Sequence, residues 1–213
     1  MTFDTAQFRT GDLLLFHHEQ DYDGCFNCVF SCFTGLIELF TKSKYSHVAI
    51  IIRDPDFTDP PLKGLYVLES SFETFPEAED HKYKLGVELE EFDKVISAAK
   101  TDETIYWRRL NCVRDEDFYL KLKDIHKTVH DKPYDLFPPD WINALFHNKT
   151  KDGQSINRFW CSALVAYAYV QWGFLPENTQ WTYVTPKMLG SEKPDKYILK
   201  YSNCFLEKER RIL

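Results

Sequence analysis

The most continuous apolar run in the chain is Ser46 to Ile52, SHVAIII, rich in β-branched residues and closed by the turn signals Asp54-Pro55 and Pro60-Pro61. It predicts a central, buried strand with His47 at its start. Shorter apolar runs at Asp12 to Phe16 (DLLLF) and Gly64 to Ser70 (GLYVLES) predict two further strands, the second interrupted near its end by Glu69. Alternation across Gly86 to Phe92 (GVELEEF) and the composition of Glu103 to Cys112 (ETIYWRRLNC) predict two more, with a short helix or turn over Asp93 to Lys100 between them. The polar, irregular stretch from Ser71 to Lys84 predicts a wide loop that forms a rim or lid.

Helical periodicity takes over elsewhere. Asp115 is placed to cap a helix that carries Phe118, Leu122, Ile125 and Val129 on one face and stops before Pro133. In Asn157 to Gly173, NRFWCSALVAYAYVQWG, the apolar residues Leu164, Val165, Ala168, Tyr169 and Trp172 recur at helical spacing; Asn157 is the expected cap, and Gly173 and Pro176 end the run. A cysteine-rich helix is expected from Cys25 to about Phe40, a short amphipathic piece from Asp140 to Phe146, and a last short helix after Thr185-Pro186. The charged tail Lys208-Glu209-Arg210-Arg211 is expected to be a solvated end.

Composition narrows what such a chain does. At 213 residues it suits one domain with a substantial core, covering 1–213. A formal net charge of −7 argues against an extended phosphate-binding surface, so nucleic acid is not an expected partner. The start, MTFDTAQFRTGD, has no basic region followed by an apolar one, and the apolar stretch from Val29 to Phe40 is too short and too interrupted to span a bilayer. The expectation is a soluble, cytoplasmic protein without a transmembrane segment, leaving room for peripheral membrane contact. Six cysteines in that setting are expected to stay reduced. An aromatic content of 16% is high enough that some rings are candidates to line a pocket for apolar or planar groups.

Candidate chemistry centres on Cys161. It falls in the opening turn of the predicted helix, where the partial positive charge and unpaired backbone N–H groups lower a thiol pKa and offer an oxyanion donor. A buried cysteine can equally be a small core hydrophobe, a lone histidine at a strand start is commonly structural, and an acid at a strand end can simply be solvated. Together, however, Cys161, His47 and Glu69 are the parts of a nucleophile, base and orienting acid. The spacing of Cys25, Cys28 and Cys32 near His17 and His18 is compatible with a metal site, but the cysteines also share one helical face, and a second ligand pair at zinc-finger spacing is missing. No metal and no cofactor is therefore expected.

Five segments in the same order resemble the circularly permuted papain-like proteins of the NlpC superfamily, a group with bacterial amidohydrolase-like and poxvirus-encoded members. They are GDLLLF (Gly11 to Phe16), FTKSKYSHVAII (Phe40 to Ile51), LYVLES (Leu65 to Ser70), KPYD (Lys132 to Asp135) and FWCSALVAYAY (Phe159 to Tyr169). The resemblance runs from about Gly11 to about Pro186. It implies an α+β papain-like core, an antiparallel sheet with packed helices, in which Cys161 is the nucleophile, His47 the base and Glu69 the residue orienting His47. It also implies that Tyr134 faces the site as an oxyanion or substrate hydrogen-bond donor. Relatives commonly carry a glutamate two residues after the cysteine, where this chain has Ala163. The implied activity is cysteine hydrolysis of an amide, peptide or isopeptide bond through a thioester. The alternatives are acyl transfer or ester cleavage on a lipid-type acyl substrate, and a non-catalytic binding module that keeps the fold.

Overall fold

The computed structural model describes residues 4–18, 44–72, 75–99, 103–135, 156–191 and 199–213. Among the described residues eight strands follow one another as β1 (Leu13–His18), β2 (His47–Arg53), β3 (Leu65–Phe72), β4 (Leu85–Glu91), β5 (Glu103–Arg108), β6 (Leu110–Asn111), β7 (Phe205–Leu206) and β8 (Arg210–Arg211). Four α-helices are described: α1 (Phe92–Ala98), α2 (Glu116–Val129), α3 (Cys161–Gln171) and α4 (Pro186–Leu189). The fold is α+β, with an antiparallel six-stranded sheet in the order β4-β3-β2-β1-β5-β8 and a separate β6-β7 ribbon.

The pleat explains why β2 reads as continuously apolar. Val48, Ile50 and Ile52 pack with Leu13, Leu15 and Leu68 on the face that carries α2 and α3. The alternate residues Ala49 and Ile51 pack with Leu14, Val67 and Ile105 on the opposite face, which is covered by Phe92 and Val95 of α1 and by Phe8. A strand buried on both sides has no polar face to alternate with. Helix α3 is enclosed in the same way: every residue from Cys161 to Tyr169 is buried. It is therefore a core helix rather than an amphipathic one. Helix α2 does have one apolar stripe, formed by Phe118, Leu122, Ile125 and Val129, and Asp115 caps it by accepting from the Phe118 amide at 3.0 Å.

Polar contacts fix how these layers meet. The Tyr169 hydroxyl donates to the Gly11 carbonyl at 2.7 Å, joining α3 to the residues just before β1. Fully buried Asp12 accepts from the Trp107 indole at 2.9 Å, from the Leu110 amide at 2.9 Å and from the Arg9 amide at 3.0 Å, with the Arg114 guanidinium 3.3 Å away. One carboxylate thus gathers the start of β1, the end of β5, β6 and the approach to α2.

Several sequence expectations are altered by this structure. Helix α3 begins at Cys161 with Trp160 as its cap residue and no capping side chain, rather than at Asn157. The reason is that Phe159 is engaged in backbone pairing with Tyr134, which holds the preceding residues extended. The tail is only half solvated: the Arg210 and Arg211 side chains are exposed while their backbones pair with Trp107 and Tyr106 as edge strand β8. The expected Cys25 to Phe40 helix, its Cys25/Cys28/Cys32 grouping and the Asp140 to Phe146 piece lie outside the described residues.

Removing the Asp12 carboxylate leaves the Trp107 indole N–H and the Leu110 and Arg9 amides without this acceptor, and takes one of several partners from Arg114. Asp12→Ala is expected to destabilise the protein by about 3 kcal/mol, measured by urea unfolding followed through tryptophan fluorescence.

Candidate functional site

The lead-in to α3 is fixed on both sides before the cysteine is reached. Phe159 donates its amide to the Pro133 carbonyl at 3.2 Å, and its own carbonyl accepts from the Asp135 amide at 3.0 Å and from the Ser70 hydroxyl at 2.7 Å. The Arg158 guanidinium pairs with the buried Asp135 carboxylate at 2.9 Å. One residue beyond Cys161, the Ser162 hydroxyl donates to the Val184 carbonyl at 2.7 Å. These anchors come from β3, the 133–135 segment and the stretch before α4. They determine the position of the Cys161 Cα.

Cys161 is the first residue of α3 and is 2% exposed. Trp160 takes up extended backbone angles, φ −96° and ψ 169°, and its side chain makes no cap hydrogen bond. The first-turn amides, Cys161's own included, therefore stand at the positive end of the helix dipole without a capping oxygen from that residue. Such an end attracts negative charge on a sulfur or on an oxygen bound next to it.

His47 opens β2, and its Nε2 is hydrogen-bonded to a Glu69 carboxylate oxygen. β2 and β3 are paired neighbours with Ile50 opposite Leu68, and just beyond that pair the side chains of His47 and Glu69 meet. The ring also hydrogen-bonds the Cys161 side chain, and with Nε2 committed to Glu69 the nitrogen available to sulfur is Nδ1. Phe16 lies against the imidazole, ring centroids 5.1 Å apart. Burial disfavours a charged imidazole, but the Cys161 sulfur and then the Glu69 carboxylate outweigh it and hold the His47 pKa well above its ordinary value. Both neighbours favour the protonated form of the ring. His47 thus meets both of the other residues singled out in the sequence, Cys161 and Glu69.

Tyr134 is drawn to the same centre by the backbone pairing that joins it to Phe159. Burial, followed by the proximity of Cys161 and Asp135, pushes its hydroxyl pKa well above the ordinary tyrosine value, so it is a neutral O–H donor at any working pH. Close approach of chain segments makes this possible: a Cβ on Gly86 would lie 2.2 Å from the Lys132 carbonyl oxygen, and its φ of +153° suits glycine. The methyl of Ala163 is buried in the core. A longer carboxylate there would displace packed neighbours.

Two residues that sequence reasoning did not single out adjoin the triad. Glu88 sits directly opposite Glu69 across the β3–β4 pair, and the carboxylates of Glu69, Glu88 and Glu90 converge within 4.8 Å. Glu88 and Glu90 are 1% and 3% exposed, and each has one carboxylate oxygen that finds no hydrogen-bond partner among the described residues. Burial and then the nearby Glu69 raise the Glu90 pKa to about 7. Glu88 is raised to about 8 by burial, opposed by its Ser71 hydrogen bond and reinforced by Glu69. Both take up protons near neutral pH, which spares the His47–Glu69 contact from two further buried negative charges. The alternation of GVELEEF places both on one face; only the register across to β3 shows that this face meets Glu69.

A second convergence joins Glu79 to His126 and His130, with ligand atoms also within 4.8 Å. Three carboxylates, or two imidazoles and a carboxylate, are both sets able to hold a cation. The first set contains the oxygen acceptor of His47 and so belongs to the triad.

No family model and no curated protein matches the sequence. Among solved structures the chain is similar to the crystal structure of metalloprotein yiiX from Escherichia coli O157:H7, at a TM-score of 0.44 and 20% identity. That similarity covers 76% of this chain and 65% of the other, so the chain spans a little under two thirds of that protein's length.

The raised His47 pKa has a direct readout. In an NMR pH titration the His47 ring is expected to stay protonated above pH 6.5, the ordinary histidine value. Both Cys161→Ala and Glu69→Gln are expected to shift the transition to lower pH, because each removes a partner that favours the protonated ring.

Proposed function

We propose that the protein is a cysteine-nucleophile hydrolase with a circularly permuted papain-like core, cleaving an amide, peptide or isopeptide bond through a thioester intermediate. The observation that carries this reading is the placement of the His47 ring between the Cys161 thiol and the Glu69 carboxylate. A binding module that merely kept the fold would have no need of an imidazole hydrogen-bonded on both sides, one of them to a thiol at a helix start. The chain order His47, Glu69, Cys161 places the cysteine helix last, the reverse of the papain order and in keeping with a permuted arrangement.

The steps follow from the geometry. His47 Nδ1 takes the thiol proton, and the thiolate attacks the carbonyl carbon of the scissile bond. The Cys161 amide at the start of α3 donates to the oxyanion, and the neutral Tyr134 hydroxyl is a second donor at the same centre. The imidazolium then protonates the leaving amine, which departs and leaves the acyl group as a thioester on sulfur. Water enters, gives its proton to His47, and hydrolyses the thioester to a carboxylic acid and the free thiol. Glu69 keeps the ring in register through Nε2 and stabilises the imidazolium in both halves. Acyl transfer to an alcohol or amine uses the same first half, with that acceptor in place of water; thiol-dependent cleavage of a lipid ester differs only in the leaving group.

Mass spectrometry of protein exposed to activated amides and to activated lipid esters tests this directly. A thioester adduct is expected on Cys161, absent in Cys161→Ala and at least about a hundredfold slower to form in His47→Ala. An adduct from the amides alone favours the hydrolase reading, one from the esters alone favours the acyl-lipid alternative, and none from either points to the binding module.

A further inference from the structure

The segment 75–84 and the C-terminal end of α2 meet at residues that the catalytic reading does not use. His126 lies in the last turn of α2 and His130 is the residue that ends it, and their ring centroids are 4.9 Å apart. His126 Nε2 lies 2.6 Å from a Glu79 carboxylate oxygen, and His130 Nδ1 lies 3.8 Å from that same oxygen. The ligands of a four-coordinate zinc ion, at bonds of about 2.0–2.1 Å, stand roughly 3.3 Å apart. The two measured separations bracket that figure, and side-chain shifts of under about 1 Å reach it.

The surroundings are those of a ligand set rather than of an isolated ion pair. His130 Nε2 is 3.3 Å from an Asp131 carboxylate oxygen, so the ring has a carboxylate partner on the nitrogen opposite the one that faces Glu79. The Phe57 ring packs against His126 with centroids 4.3 Å apart and sets the plane of that imidazole. Four carboxylates, those of Glu77, Glu79, Asp80 and Asp131, crowd the site. The nearby ammonium of Lys84 is engaged by Glu77, Asp80 and Asp131, and that of Lys82 by Asp80. The excess negative charge attracts a dication. Side-chain exposures of 11% for His126, 14% for Glu79 and 32% for His130 leave one side open for entry and for a water as the fourth ligand.

We propose that Glu79, His126 and His130 form a zinc-type divalent cation site, liganded through the Glu79 carboxylate, His126 Nε2 and His130 Nδ1, which fastens the β3–β4 connection to the end of α2. A d-block cation with imidazole affinity is the class these ligands select; calcium and magnesium prefer all-oxygen sets. The clamp lies immediately before Lys132-Pro133-Tyr134, the segment that carries Tyr134 to the triad and whose Lys132 carbonyl accepts from the Val87 amide at 2.8 Å. Metal binding there stabilises the folded state by mass action.

This inference stands apart from the hydrolase reading, and its test reads binding rather than turnover. The Cys161→Ser protein, which lacks the one thiol that could compete together with His47 and Glu69, is titrated with zinc chloride by calorimetry and examined by X-ray absorption. One equivalent is expected to bind at nitrogen and oxygen ligands near about 2.0–2.1 Å, with a rise in Tm. Adding His130→Ala, or separately Glu79→Gln, is expected to weaken that binding by at least about tenfold and to abolish the Tm rise, with the metal-free Tm showing that each variant folds. Failure to bind one equivalent, a sulfur shell near about 2.3 Å, or equal affinity in both added variants would overturn the proposal and leave an ordinary His126–Glu79 hydrogen bond.

Discussion

The contact on which the site depends is the one His47 makes with Cys161 and Glu69 at once. An imidazole at the end of a buried sheet is costly as a cation and inert as a lone neutral base. The Cys161 sulfur and the Glu69 carboxylate outweigh the first difficulty, and Glu69 on Nε2 leaves Nδ1 as the nitrogen open to sulfur. Much else in the described fold serves that three-way contact. The pairing of β2 with β3 brings Glu69 beside His47, and the Asp12 hub holds β1, the neighbour of β2, against β5.

The helix start is held with matching care. Ser70 on β3 and Asp135 in the Tyr134 segment both bond the Phe159 carbonyl, and Ser162 bonds the Val184 carbonyl, so Cys161 is bracketed by fixed neighbours. The Trp160 side chain makes no cap hydrogen bond, and the Cys161 amide stands at the positive end of the helix dipole. Protons on Glu88 and Glu90 complete the balance by keeping the carboxylates behind Glu69 from repelling one another in the interior.

What the sequence made legible was whatever depended on local pattern. The β-branched run after Ser46 became β2, Asp115 capped its helix as expected, and the run after Cys161 is helical. What it hid was decided by partners far along the chain. Asn157 looks like a cap because of its side chain, yet the residues after it stay extended through bonds to Pro133 and Asp135. Glu88 and Glu90 look like the wet face of an alternating strand until α1 and the opposite-face core are placed against that side. The pairing of His126 with Glu79 spans forty-seven positions, and no local rule connects them. The grouping of His47, Glu69 and Cys161 could be looked for in the sequence because each of the three stands on a strongly patterned element.

Competitive alkylation tests the central claim most directly: iodoacetamide reacted with the native protein, and the rates at Cys161 and Cys112 followed by peptide mass spectrometry across pH. Burial pushes the Cys112 thiol pKa up, so that residue serves as the internal reference for a cysteine without a base. The account predicts that Cys161 reacts faster below pH 8 despite its deeper burial, and that His47→Ala removes the advantage. Equal rates at the two cysteines, unchanged by His47→Ala, would contradict it.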